Sequence, residues 1–286
     1  MDKTLLSIGH GYSAQALAAR LLPQGWRIIG TTRSADKLKE LAETGIEPVV
    51  WPGADLGALV AEVPNVLISA GPGPDGDPVL NAIRDDIARA APDLQWVGYL
   101  STTGVYGDKD GGWVDEDTPL APSTKRGAAR VDAEARWQDI PDLPLHIFRL
   151  AGIYGPGRGP FAKVRNGTAR RIIKQGQVFS RIHVEDIAQA LELSLHRPDP
   201  GAIFNLCDDD PAPPQDVIAH AAELLSMPVP DAIPIEQADM TPMARSFYAE
   251  SKKVRNDRIK KALGWEPKYP SYRAGLAALL ASDDQS

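Results

Sequence analysis

The chain is poor in every feature that would set it apart from ordinary globular proteins. It has one cysteine, Cys207, in 286 residues, which excludes an internal disulfide and any cysteine-based zinc cluster. It has no basic excess: 31 Lys and Arg stand against 38 Asp and Glu, leaving a formal charge of −7. That balance argues against a nucleic-acid or anionic-membrane surface. No apolar run approaches the roughly 20 residues of a membrane span. The first residues lack the basic-then-apolar order of a signal peptide, so a cytoplasmic location is expected. Repeats and low-complexity tracts are absent too. What remains is 43% hydrophobic and 24% charged, ordinary for a globular protein. The length suits one large domain or a domain plus a lobe.

Residues 4–34 are the most informative stretch. The apolar run Leu5, Leu6, Ile8 stops at Gly9, and Gly9-His10-Gly11-Tyr12-Ser13-Ala14 leads into a helical pattern through Leu17, Leu21 and Leu22. Pro23-Gln24-Gly25 ends the helix, and a second strand follows to Gly30. Strand, glycine turn, helix and strand make a βαβ unit with a dinucleotide-binding fingerprint. Gly9 permits a sharp turn at positive φ. At Gly11 a side chain would block a pyrophosphate, and Ala14 lets the helix pack closely on the strand. Tyr12 and Ser13 open the helix, whose free N–H groups and dipole favour an anion.

The second strand ends Thr31-Thr32-Arg33-Ser34, with no acid before Asp36. A site for NAD usually places Asp or Glu there to accept from the ribose. Arg33, Ser34 and Lys37 suit a 2′-phosphate instead, so NADP is the expected cofactor and NAD the alternative.

Further strands are expected at 46–51, 65–70, 95–101 and 145–150, with helices at 34–43, 78–91 and 123–138. This alternation implies an α/β, Rossmann-type doubly wound parallel sheet, with ligands off the carboxyl ends of its strands. Ala70-Gly71-Pro72, Thr102-Thr103 and Ala151-Gly152 fall at those ends. Residues 1–150 then form the core and 151–286 a smaller lobe that closes over the crevice. The helix at 184–195 and strand at 201–206 are compatible with a return to the core sheet. Helices are also expected at 213–226, 252–263 and 272–280, and the acidic tail 283–286 is expected to fray.

Several segments together resemble the extended short-chain dehydrogenase/reductase superfamily, in its NAD-dependent epimerase/dehydratase branch. They are Gly9 to Ala14, Asp55-Leu56, Ser101-Thr102-Thr103-Gly104-Val105-Tyr106-Gly107, Phe148 to Arg158, Arg181-Ile182-His183-Val184-Glu185-Asp186, and Leu263-Gly264-Trp265-Glu266-Pro267. The resemblance implies that Asp55 and Leu56 contact adenine and that Thr102 occupies the catalytic Ser/Thr position. It also implies a Tyr-x-x-x-Lys pair on one helix face, the ammonium lowering the phenol's pKa. That pair is missing. Aligning Glu134 with the family's acid puts Arg126 at the tyrosine position and Arg130 at the lysine position. A guanidinium is no proton donor near neutrality. Tyr248-Ala249-Glu250-Ser251-Lys252 has the spacing but follows the last core strand, so it is rejected as the catalytic pair. Tyr106 and Tyr154 near the crevice mouth, and His183 at a helix entry, are read as packing residues. Cys207 is read as a small buried residue, and the three aspartates after it as no metal site.

The expected function is therefore an NADP-dependent reductase, epimerase or dehydratase. Its substrate would be small and polar or nucleotide-sugar-like, handled by Thr102, Arg126 and Arg130. The alternative is a catalytically inactive NADP-binding sensor or regulator. Related dimers pair two helices that correspond to 78–91 and 122–138. A homodimer through Ile83, Ile87, Val131 and Trp137 is thus expected.

Overall fold

The computed structural model describes residues 2–283, and the end of the acidic tail, 284–286, lies outside them. Seven strands make the central sheet: β1 (Thr4–Ile8), β2 (Arg27–Thr32), β3 (Glu47–Val50), β4 (Asn65–Ile68), β5 (Trp96–Thr102), β6 (Leu145–Leu150) and β7 (Ile203–Leu206). Their order is β7-β6-β5-β4-β1-β2-β3, all parallel. The order reverses between β1 and β4, so a crevice opens off their carboxyl ends.

Helices cover both faces: α1 (Tyr12–Leu21) and α4 (Val184–His196) on one, α2 (Pro78–Ala90) and α3 (Lys125–Gln138) on the other. Each strand feeds both layers by alternation. Leu5, Leu67 and Leu100 join the α1/α4 core, while Leu6, Ile68 and Tyr99 join the α2/α3 core. This double coverage explains why β1 reads as a continuous apolar run. The short β7 pairs with β6 in register Phe204↔Phe148, beside the core helix α4, so residues 184–206 lie in the main sheet and its helical layer.

Outside the sheet, a third cluster of Tyr154, Phe161, Val164, Ala221, Tyr272 and Leu276 forms the lobe's own core. The helix expected from Lys252 begins only at Asp257, because Lys253–Val254 instead pairs in parallel with Trp113–Val114. Among the described residues no helix is long and apolar enough to cross a membrane.

The apolar residues expected at a dimer contact do not face outward. Ile83, Ile87 and Trp137 are buried against the sheet and Val131 is half-buried against the other core, so this chain's own interior uses them. Helical periodicity marks an apolar stripe without saying what covers it. The outward positions are polar: Arg84 pairs with Asp139, and Arg136 donates to Asn81.

Candidate active site at the carboxyl ends of the sheet

The glycine turn divides its tasks. Gly9 lies at φ +80°, and a Cβ there would stand 2.8 Å from the Ala70 nitrogen. Its N–H donates to Thr31 Oγ1 at 2.8 Å. Gly9 is therefore required by the fold itself. Gly11 is not: its φ is −104°, open to any residue, and a built Cβ meets nothing nearer than the Gly9 carbonyl at 3.7 Å. The space beside it, at the head of α1, is left clear by the protein. Gly11 offers no side-chain cap and no acid stands in the first turn, so the leading N–H groups of α1 face the crevice with their dipole. Ala14 is buried behind them, and Tyr12 donates to the Pro156 carbonyl at 2.9 Å.

Gly9, Gly11, Tyr12, Ser13, Gly71 and Pro72 line one crevice of about 800 Å³, together with Thr102, Arg126, Arg130, Ala151 and Gly152. Arg33, Ser34, Ala70, Asp55 and Leu56 lie outside that lining. Arg33 is exposed, with no bonding partner among the described residues. Asp55 caps the helix Leu56–Ala61 by accepting from Ala58 N at 3.0 Å, and Leu56 is core. The Asp-hydrophobic pair thus has a complete local role as a helix start.

On the substrate side, α3 is placed by a close approach. A Cβ on Gly127 would lie 2.8 Å from the Gly104 carbonyl, so α3 packs directly on the turn after β5. Thr124 caps it, accepting from Gly127 N at 3.0 Å. Arg126 and Arg130, one turn apart, therefore face the crevice beside Thr102. Arg130 is fixed: it donates to the Leu100 carbonyl and to Tyr99 OH, and lies across Gly71, where a Cβ would be 2.6 Å from Nη2. Arg126 is exposed and makes no bond among the described residues. Thr102 Oγ1 accepts from Gly104 N at 3.1 Å, which leaves its hydrogen to donate elsewhere.

Two lining groups lie outside the expected site, in the stretch rejected as a catalytic pair. Glu250 and Lys252 reach the crevice, ion-paired at 2.6 Å. Lys252 Nζ also donates to the Gly107 carbonyl at 2.8 Å, and Ser123 donates to Glu250. The Tyr-x-x-x-Lys spacing marks this stretch, but not in the way the motif implies. The helix Pro242–Phe247 ends before Tyr248, so Tyr248 and Lys252 share no helical face. Tyr248 packs edge-on against Phe179 at 5.9 Å.

The remaining candidates are held by contacts within the fold. Burial pushes the Tyr106 phenol up to about 12, where it donates to Asn205 Oδ1 at 2.7 Å. Tyr154 is also raised by burial. Burial lowers His183 to about 4, so the ring is neutral near pH 7. Its Nδ1 accepts from Glu185 N at 3.2 Å to cap α4, and the ring packs 4.2 Å from Tyr269. The three aspartates diverge: Asp209 accepts from Lys260 and Asn256, Asp210 pairs with Arg273, and Asp208 is buried.

Asp208 carries a pH prediction. Burial raises it to about 8, against an opposing pull from Arg181, and neither carboxylate oxygen has a partner among the described residues. The folded chain holds that proton while the unfolded chain has lost it above about 4. Stability therefore falls as pH rises until the folded group ionises too, by about 1 kcal/mol between pH 7 and 8. Urea unfolding at the two pH values should show this fall, and Asp208→Asn should remove it. A parent curve flat over that interval contradicts it.

No family model matches the sequence. Protein YeeZ of Escherichia coli (strain K12) is 31% identical over 217 residues, covering 72% of this chain and 77% of YeeZ. The structure of a functionally unknown conserved protein from Silicibacter pomeroyi DSS is 60% identical, covers 99% of each chain and superposes with a TM-score of 0.94. A candidate NAD-dependent epimerase/dehydratase from Methylobacillus flagellatus is 25% identical, covering 99% of this chain and 100% of its own, with a TM-score of 0.73.

Proposed function

Because the chain belongs to the NAD-dependent epimerase/dehydratase family, we propose that it is an NADP-dependent oxidoreductase for a small anionic substrate, working without a Tyr-Lys pair. The observation that carries this is the clear space at Gly11, whose missing side chain answers to no protein atom. The residues present fit a dinucleotide. The Gly9–Ala14 turn and the head of α1 would hold its pyrophosphate, Arg33 and Ser34 a 2′-phosphate, the exposed Asp55 the adenine edge, and Gly71 and Pro72 with Ala151 and Gly152 the crevice floor. Bound there, a nicotinamide supplies or accepts a hydride.

The chain's own groups do the rest. Thr102 donates its free hydrogen to the substrate oxygen, and Arg130, held by Leu100 and Tyr99, keeps a fixed positive charge beside it. Arg126 binds the substrate's anionic end. Fixed donors of this kind contribute about 2.7–4 kcal/mol each. The arginines exchange no proton near neutrality, because a guanidinium stays charged there.

The test is NADPH consumption over a panel of carboxylated and phosphorylated aldehydes and ketones. Arg126→Ala should lower kcat/KM about 100-fold while leaving NADPH affinity alone. Cofactor fluorescence should show tighter NADPH than NADH binding. Arg33→Ala should remove about 1.5–3 kcal/mol of NADPH binding and little of NADH binding. Equal affinity of the parent for both cofactors would refute the NADP preference. Tight NADPH binding with no turnover on the panel would favour the sensor reading.

A further inference from the structure

The substrate half of the crevice has an unusual inventory. Beside hydroxyl side chains such as Thr102, Thr103 and Ser180, its walls carry an apolar and aromatic set: Ile153, Tyr154, Val178, Phe179, Phe247 and Val254. Phe247 is 56% exposed, one of few large apolar side chains left open among the described residues, and it stands at this crevice rather than over a core. Phe179 is half-buried, its outer environment set by Tyr248 edge-on and the Arg181 guanidinium 6.0 Å from its ring.

The cations divide into those with hydrogen-bond partners among the described residues and those without. Lys252 is neutralised by Glu250, Arg181 donates to the Phe179 and Ala212 carbonyls, and Arg130 to Leu100 and Tyr99. Arg126 makes no such bond, and Arg158 only lies over the Tyr12 ring at 5.7 Å. Both are exposed cations on the lining of this crevice. What the chamber lacks is as telling. Among the described residues no Asn, Gln, Asp or His lines it, and its one acid, Glu250, already accepts from Ser123 and Lys252. A nucleotide base with its amide edge needs such side chains, because buried amide groups left unpaired cost affinity. An aromatic acid needs a planar apolar wall and one cation, and this chamber has both.

We propose that the crevice takes a small aromatic carboxylic acid, its ring against Phe247 and Phe179 and its carboxylate on Arg126, rather than a sugar nucleotide. The proposal rests on the reading of the crevice as a dinucleotide-dependent redox site and names that site's substrate class.

Isothermal titration of the full chain, with and without saturating NADPH, tests it using trans-cinnamate, benzyl alcohol and UDP-glucose as probes. Cinnamate should bind at least tenfold more tightly than benzyl alcohol, which keeps the ring without the carboxylate, and than UDP-glucose. Phe247→Ala, at a surface position outside the core, should weaken cinnamate about tenfold with NADPH affinity unchanged. Arg126→Ala should bring cinnamate down to the level of benzyl alcohol. UDP-glucose binding as tightly as cinnamate, no cinnamate binding, or cinnamate binding untouched by both substitutions would overturn the proposal. If NADPH itself fails to bind, the redox reading falls, and the same ranking on the cofactor-free chain still decides the substrate class.

Discussion

Glu134→Ala is expected to destabilise the fold by about 3–5 kcal/mol, the cost of leaving a buried charge without its partner. Glu134 and Arg149 have side chains only 2% and 4% exposed and meet at 2.7 Å. Arg149 Nε also donates to both Glu134 oxygens at 3.2 Å, and Ser101 donates to the same carboxylate. From Arg149 the network continues to Tyr106 OH at 3.0 Å and through it to Asn205. Four elements, β5, β6, β7 and α3, are thus tied by one set of bonds that water cannot replace. The urea midpoint reads the loss. A double variant, Glu134→Leu with Arg149→Met, removes both charges and should recover most of it. A single variant as stable as the parent would show that the pair is dispensable.

Gly11→Ala should do the opposite: leave stability near the parent value and impair cofactor binding. The built Cβ has 3.7 Å of clearance and an ordinary φ, so the fold tolerates it. A bound pyrophosphate would not. Forcing an extra methyl into a close contact costs about 1–3 kcal/mol, roughly 5- to 150-fold in Kd. Gly9→Ala is the control, since φ +80° and the Ala70 backbone at 2.8 Å penalise any side chain before a ligand is present. NADPH titration and thermal unfolding of both variants separate the roles. Unchanged NADPH affinity in Gly11→Ala would place the cofactor away from the head of α1.

The parts legible in the sequence are those set within a few residues of chain. The turn at Gly9 to Ala14 follows from local backbone limits, and the parallel sheet from apolar runs alternating with helical periods. The helices at 78–91 and 123–138 could be read too, because a helical period and its start are set within a few residues, as the caps Asp77 and Thr124 show. Tertiary structure decided the rest. Ile83, Ile87 and Trp137 carry the same apolar signal whether they meet a partner or their own sheet, and only packing shows that they meet the sheet. Glu250 and Lys252 reach the crevice through bonds to Ser123 and Gly107, 127 and 145 residues away. No period or spacing encodes contacts of that range, since they arise only when separate segments fold against each other. The sequence by itself determined the strand, turn and helix at Gly9 to Ala14; the folded chain alone determined which side chains share the crevice beside them.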